Sequence, residues 1–163
     1  MSSGELNELL SVLAATDLKI QSLLENRFDQ QLRRRPSEGE FSLVENVCHL
    51  RDIEIEGYTT RIKQILGEDD PVLADIDGER LAVERDYNKQ DAHAALRSFS
   101  FARRVNIDTL KSLGPEELDR AGTLEGIGRV KLADLIRMMR DHDASHLKEM
   151  EIHTPDVGEA KPV

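Results

Sequence analysis

His142 and His146 stand one helical turn apart in Arg140-Asp-His-Asp-Ala-Ser-His-Leu-Lys148. Imidazoles at i and i+4 on one helix face can share a metal ion. Both fall where the helix ought to be apolar, because Leu132, Leu135, Ile136, Met139 and Met150 make the same stripe at helical spacing. Burying two ring N–H groups costs free energy unless each finds a partner. A cation would satisfy both; so would hydrogen bonds to carboxylates or carbonyls, and spacing leaves the two readings open. His142-Asp-Ala-Ser-His146 also approaches the zincin pattern, with Asp143 in place of the glutamate base. Aspartate is one methylene shorter, and Asp143 reads as lying at the stripe's edge, so a protease is not expected.

A third histidine, His49, lies in an upstream helix. The apolar face there reads Val44, Val47, Cys48, Ile55, Tyr58 and Ile62, with His49 off its centre between Leu50 and Ile53 and the acidic Glu45, Asp52 and Glu56. Periodicity alone reads it as a surface histidine. A ligand at the wet rim of a pocket would have the same spacing. His93 and His153 read as surface residues, and Cys48 as an inert core thiol.

Four helices must position these side chains. Ser2-Ser-Gly-Glu5 has the form of a capping box opening the first, which the stripe Leu6, Leu10, Leu13, Ile20, Leu24, Phe28 carries to about Gln31. Ser42-Leu-Val-Glu45, with Phe41 as a hydrophobic staple, opens the second, from Leu43 to Leu66 before Gly67. Residues 67–87 read as a long acidic crossover with turn signals at Glu68-Asp-Asp-Pro71 and Asp75-Ile-Asp-Gly78. Asn88 or Asp91 caps the third helix, which runs to about Leu113 before Gly114-Pro115. Gly122, Gly126 and Gly128 form a loop, and the fourth helix spans Val130 to Ile152. No strand run is evident. The expectation is an all-α four-helix bundle, one domain over residues 1–153, with a frayed tail at 154–163.

Within those helices, polar residues interrupt the apolar faces. Asp17 sits between Leu13 and Ile20; Arg103 and Asn106 share a stripe with Leu96, Phe99 and Leu110. An Asp17–Arg103 bridge between helices is one reading. A pocket in which Arg103 grips an anion is the other. Asp52 or Glu56 could orient His49, although a solvated acidic face accounts for both.

Composition excludes several classes. The chain has 163 residues, 39% hydrophobic, 4% aromatic, no tryptophan and a formal net charge of −10. Such a charge repels phosphate backbones and anionic membranes, so neither nucleic acid nor membrane is expected as a partner. A single cysteine precludes an internal disulfide. With no evident export signal, a reducing cytoplasmic setting is expected.

The stretch Phe41-Ser-Leu-Val-Glu-Asn-Val-Cys-His-Leu-Arg-Asp52 resembles the Trp-Ser-…-His-Leu-x-Asp start of the second helix in DinB-like proteins, with Phe41 at the tryptophan position. Arg140-Asp-His-Asp-Ala-Ser-His-Leu-Lys-Glu149 resembles their C-terminal His-xxx-His helix. The resemblance implies an up-down-down-up bundle. It also implies one divalent metal, zinc or nickel, on His49, His142 and His146. Among such relatives are metal-dependent hydrolases and low-molecular-weight-thiol transferases, so a small-molecule substrate and a thiol cofactor are the implied partners. The alternative is a non-enzymatic binding or stress-response module with a structural or vacant site. Dimerisation is plausible for so small a bundle.

Overall fold

A computed structural model of the chain describes residues 1–153; the tail expected at 154–163 lies outside them. Ser2 accepts the Glu5 N–H at 3.2 Å and opens α1 (Ser3–Ala14). The first helix is not continuous to Gln31. It kinks at Ala15 into α2 (Thr16–Leu24), and Asn26 then takes a left-handed φ of 59°, which turns the chain into the short α3 (Asp29–Arg33). Asparagine tolerates that conformation better than most residues, so the stripe's last member, Phe28, leaves the core and is exposed.

The second rod follows the expected limits. Its capping box is complete: the Ser42 N–H donates to Glu45 at 2.8 Å and the Glu45 N–H to the Ser42 hydroxyl at 3.1 Å. The rod comprises α4 (Leu43–Asp52), a π-helical turn (Ile53–Thr59) and α5 (Thr60–Gly67). The π turn places more residues in each turn than a regular helix and so shifts the phase of the faces. Glu54 is therefore 1% exposed and Ile55 40% exposed, the reverse of the 3.6-residue reading, which put Ile55 on the apolar face.

The crossover is structured. β1 (Val72–Leu73) precedes α6 (Gly78–Glu84), capped by Asp77, and a 3-10 turn at Tyr87–Lys89. Asp91, not Asn88, caps α7 (Ala92–Leu110) by accepting the Ala94 N–H at 2.8 Å. After α8 (Pro115–Asp119), the glycine-rich segment is a hairpin rather than a loop. β2 (Ala121–Leu124) pairs antiparallel with β3 (Gly128–Lys131), and β1 adds in parallel with Leu73 opposite Leu124. Strands of two to four residues carry too little alternation to be seen in a sequence. α9 (Leu132–Glu151) is the last element among the described residues, starting two residues later than expected because Val130 is in β3. The chain folds as a four-helix bundle, with an up-down-down-up order. In that order the second and third rods run parallel, so only a long crossover can join them.

The core has two apolar clusters. Leu6 and Leu13, Ile62 and Ile65, Leu110, and Leu135 and Met139 make one. Ile20 and Leu24, Val44 and Val47, Phe99, and Met150 make the other. Every rod passes from one to the other through a buried polar residue: Thr16, Glu54, Arg103 with Asn106, and Asp143. Arg103 donates to both Glu54 oxygens at 2.9 and 2.8 Å, and to both Asp143 oxygens at 2.6 and 3.0 Å. Thr16 donates to Asp143 at 2.7 Å and Asn106 to Glu54 at 2.7 Å. The Asp17–Arg103 bridge, one of the two readings, is not found among the described residues. Asp17 accepts the Leu18 N–H at the start of α2 instead, because Glu54 and Asp143 already enclose the guanidinium. Asp143 is likewise buried in this layer and not at the stripe's edge.

Candidate metal centre

α4 supplies His49 and α9 supplies His142 and His146. Their ring centroids lie 5.2, 4.5 and 4.6 Å apart, and Nε2 of His49 is 3.1 Å from Nε2 of His142. One ring nitrogen from each lies within 4.8 Å of the others. A tetrahedral zinc with bonds of about 2.0–2.1 Å holds its nitrogens about 3.4 Å apart. The three rings can therefore close on one ion with shifts small on the scale of a side chain.

The protonation states suit that task. Burial, reinforced by the neighbouring histidines, pushes His49 down to about 3, and burial, with His146 and Arg103 adding to it, does the same to His142. His146 is lowered as well, again chiefly by burial. All three are neutral near pH 7 and offer lone pairs, the form a metal requires.

Asn46, which sequence reading passed over, selects the tautomer of His146. Its amide nitrogen donates to the Ser42 carbonyl at 3.1 Å, so its oxygen faces Nδ1 of His146 at 2.8 Å. An amide oxygen only accepts, so Nδ1 carries the proton and Nε2 keeps the lone pair. Glu149 reaches the same Nδ1 at 3.3 Å. Its i+3 spacing from His146 was the visible sign; Asn46 had one only in its position a turn before His49.

His49 is held differently. Its Nδ1 is buried with no hydrogen-bond partner among the described residues. Gly78 presses on that edge: a Cβ there would stand 2.3 Å from Cε1 and 2.5 Å from Nδ1. The crossover brings Gly78 to this place because both its ends are pinned. At one end, Thr123 donates to the Pro71 carbonyl at 2.8 Å and Arg61 to the Ala74 carbonyl at 2.8 Å. At the other, Arg85 and Tyr87 donate to Asp52 at 2.7 and 2.6 Å. Asp52, also bonded by Arg51, thus anchors the crossover and does not orient His49. Burial opposes its charge, yet these hydrogen bonds outweigh it and hold the carboxyl below the usual range. Glu56 pairs with Arg85.

A pocket of about 640 Å³ opens over His49 and His146, with Phe41, Ile76, Gly78 and His153 among its walls. His153 is therefore not a plain surface residue. It is half-buried, with Nε2 3.1 Å from the Phe41 carbonyl. His93 is exposed, as expected. Arg103 and Asn106 do not line the pocket; they belong to the buried polar layer, as the chain around them requires every guanidinium donor to be used internally. The Cys48 thiol is buried and pushed up to about 11 by that burial, so it stays protonated. The Tyr58 ring packs edge-on to His142 at 6.0 Å.

Fold and site together define a helical-bundle protein with a three-histidine cluster, two members of which, His49 and His146, line a pocket. The family model of the DinB superfamily matches residues 13–150, and the chain belongs to that superfamily. It is similar in structure to YfiT from Bacillus subtilis, described as a probable metal-dependent hydrolase with an unusual four-helix bundle topology. The TM-score is 0.87 and the identity 19%, over 94% of this chain and 87% of that one, which shows a common fold. No curated protein matches the chain. No helix among the described residues is long and apolar enough to cross a membrane.

Proposed function

We propose that this protein is a metal-dependent hydrolase of a small molecule, with His49, His142 and His146 holding one divalent transition metal, zinc or nickel. The observation that carries the reading is the convergence of three neutral imidazoles, two of which, His49 and His146, line the pocket. A structural zinc site is closed by four protein ligands, whereas three leave a position open. A metal so held would supply Lewis acidity to a hydrolytic reaction.

The chain's own residues do the rest. Asn46 keeps the proton of His146 on Nδ1 and so leaves Nε2 free. Glu149, at the pocket wall, is placed to accept a proton from a water there. Asp143 cannot take that part: Arg103 and Thr16 occupy both of its oxygens. Phe41 and Ile76 provide apolar wall that excludes water from bound substrate.

Metal analysis by plasma mass spectrometry on the wild type and on His142→Ala tests the centre. About one equivalent of zinc or nickel, lost in the variant, supports it; a variant that keeps its full equivalent overturns it. Hydrolysis of p-nitrophenyl esters by the metal-loaded protein, abolished by a chelator and restored by the metal, tests the reaction class. Absence of both metal and turnover would favour a non-enzymatic binding module.

A further inference from the structure

We propose that the substrate of this site carries a positive charge, an ammonium group set beside the bond that reacts; this rests on the metal-centre reading above. Five carboxylates line the pocket: Glu40, Asp75, Asp77, Glu79 and Glu149. No lysine or arginine shares the lining. Elsewhere the surface carboxylates are widely paired, as Asp29 is with Arg33, Glu5 with Arg137 and Asp119 with Lys131. None of the five at the pocket is ion-paired to a lysine or arginine among the described residues, and Glu149 meets only His146.

Several nearby cations are spent on other work. Arg27 donates to the His153 carbonyl at 2.7 Å, Arg35 pairs with Glu45, and Arg61 with the Ala74 carbonyl. Arg103, the residue that would grip an anion, is enclosed by Glu54 and Asp143. Five negative charges outnumber the two of a divalent ion, so the pocket stays negative when the metal is in place. A cleft lined by one sign of charge concentrates ligands of the opposite sign and repels its own. Carboxylate oxygens are also the acceptors an ammonium's three N–H groups require. Anionic thiols and phosphate esters meet the reverse arrangement.

The same charge sign can be read with three small thiols as probes: cysteamine, 2-mercaptoethanol and 3-mercaptopropionate. They are alike in size and differ in carrying a positive, neutral or negative end. Their binding is followed through the visible absorption of the cobalt-substituted protein, with affinities corrected for thiolate fraction. At an ionic strength of about 0.01 M, cysteamine is expected to bind about tenfold or more tightly than 3-mercaptopropionate, and the gap should shrink at about 1 M, where the Debye length falls to about 3 Å. The variant E40Q/D75N/E79Q, altered only at exposed positions, should lose most of the discrimination while keeping its cobalt and its thermal midpoint. Equal or tighter binding of 3-mercaptopropionate, or discrimination unchanged in that variant, overturns the proposal. Failure of cobalt to load, measured separately as metal content, would instead overturn the metal centre beneath it.

Discussion

The amide oxygen of Asn46 stands 2.8 Å from Nδ1 of His146, across the interface of two helices that are far apart in the chain. The contact makes Asn46 a positioning residue for a metal ligand. Removing such a partner costs about 10–100-fold in metal affinity. Asn46→Ala should weaken zinc binding by about that factor in chelator competition, and Asn46→Asp, which keeps an acceptor oxygen, should recover much of it. An Asn46→Ala protein with undiminished affinity would show that the tautomer is set elsewhere.

Gly78 bears on His49 in a similar way, through shape. The nearest imidazole atom would lie 2.3 Å from a Cβ, well inside contact distance. Gly78→Ala must move either α6 or the His49 ring. We expect metal affinity to fall about tenfold or more, because a shift of about 0.5 Å is enough to spoil a preorganised site. Gly67→Ala, which meets nothing within 4 Å, is a control for a glycine change that leaves the centre intact. Metal content after dialysis separates the two.

Arg103 compensates two buried carboxylates, Glu54 and Asp143. Arg103→Ala leaves both without their cation, and breaking a buried pair from one side costs about 3–5 kcal/mol. Urea unfolding should show a loss of that order. A loss below about 1 kcal/mol would mean that water or a shifted side chain replaces the guanidinium.

Acid should destabilise the metal-free protein before its carboxylates titrate. His49 and His142 are held near 3 in the folded state by burial, while unfolded histidine titrates near 6.5. Stability from these rings is thus fully present above pH 6.5. Below that value the unfolded chain binds protons that the folded chain refuses, so stability falls as pH falls, until the folded rings themselves titrate. The slope is about 1.4 kcal/mol per pH unit for each histidine. Urea midpoints of the apo-protein between pH 8 and pH 5 should be flat and then drop below 6.5. A midpoint that rises on acidification would contradict the neutral, buried assignment.

The helices, their caps at Ser2 and Ser42, the apolar stripes and the two histidines of α9 were legible in the sequence. Each is a local property, decided by side-chain period and by hydrogen bonds three residues apart. His49 was not legible from periodicity, because a residue at the rim of a pocket has the same spacing as one on an open face. The motif resemblance singled it out. The structure then supplied the reason it belongs with the other two: Gly78 closes over one edge of the ring, and His142 faces the other.

Tertiary structure alone decided the remainder. Whether Ile55 or Glu54 faces inward depended on a π turn and on a guanidinium from another helix. The partner of Arg103 proved to be Glu54 and Asp143 rather than Asp17, since a buried charge goes to the acceptors that packing brings within reach. The small sheet pairs strands some fifty positions apart, with Val72 against Thr123, and no window of sequence contains both. The pocket's five carboxylates come from three separate segments, so their shared field exists only once the crossover is laid over α4 and the end of α9. Sequence determines what is periodic and near in the chain; charge pairing, register and the sign of a cavity are sums over residues that only folding makes neighbours.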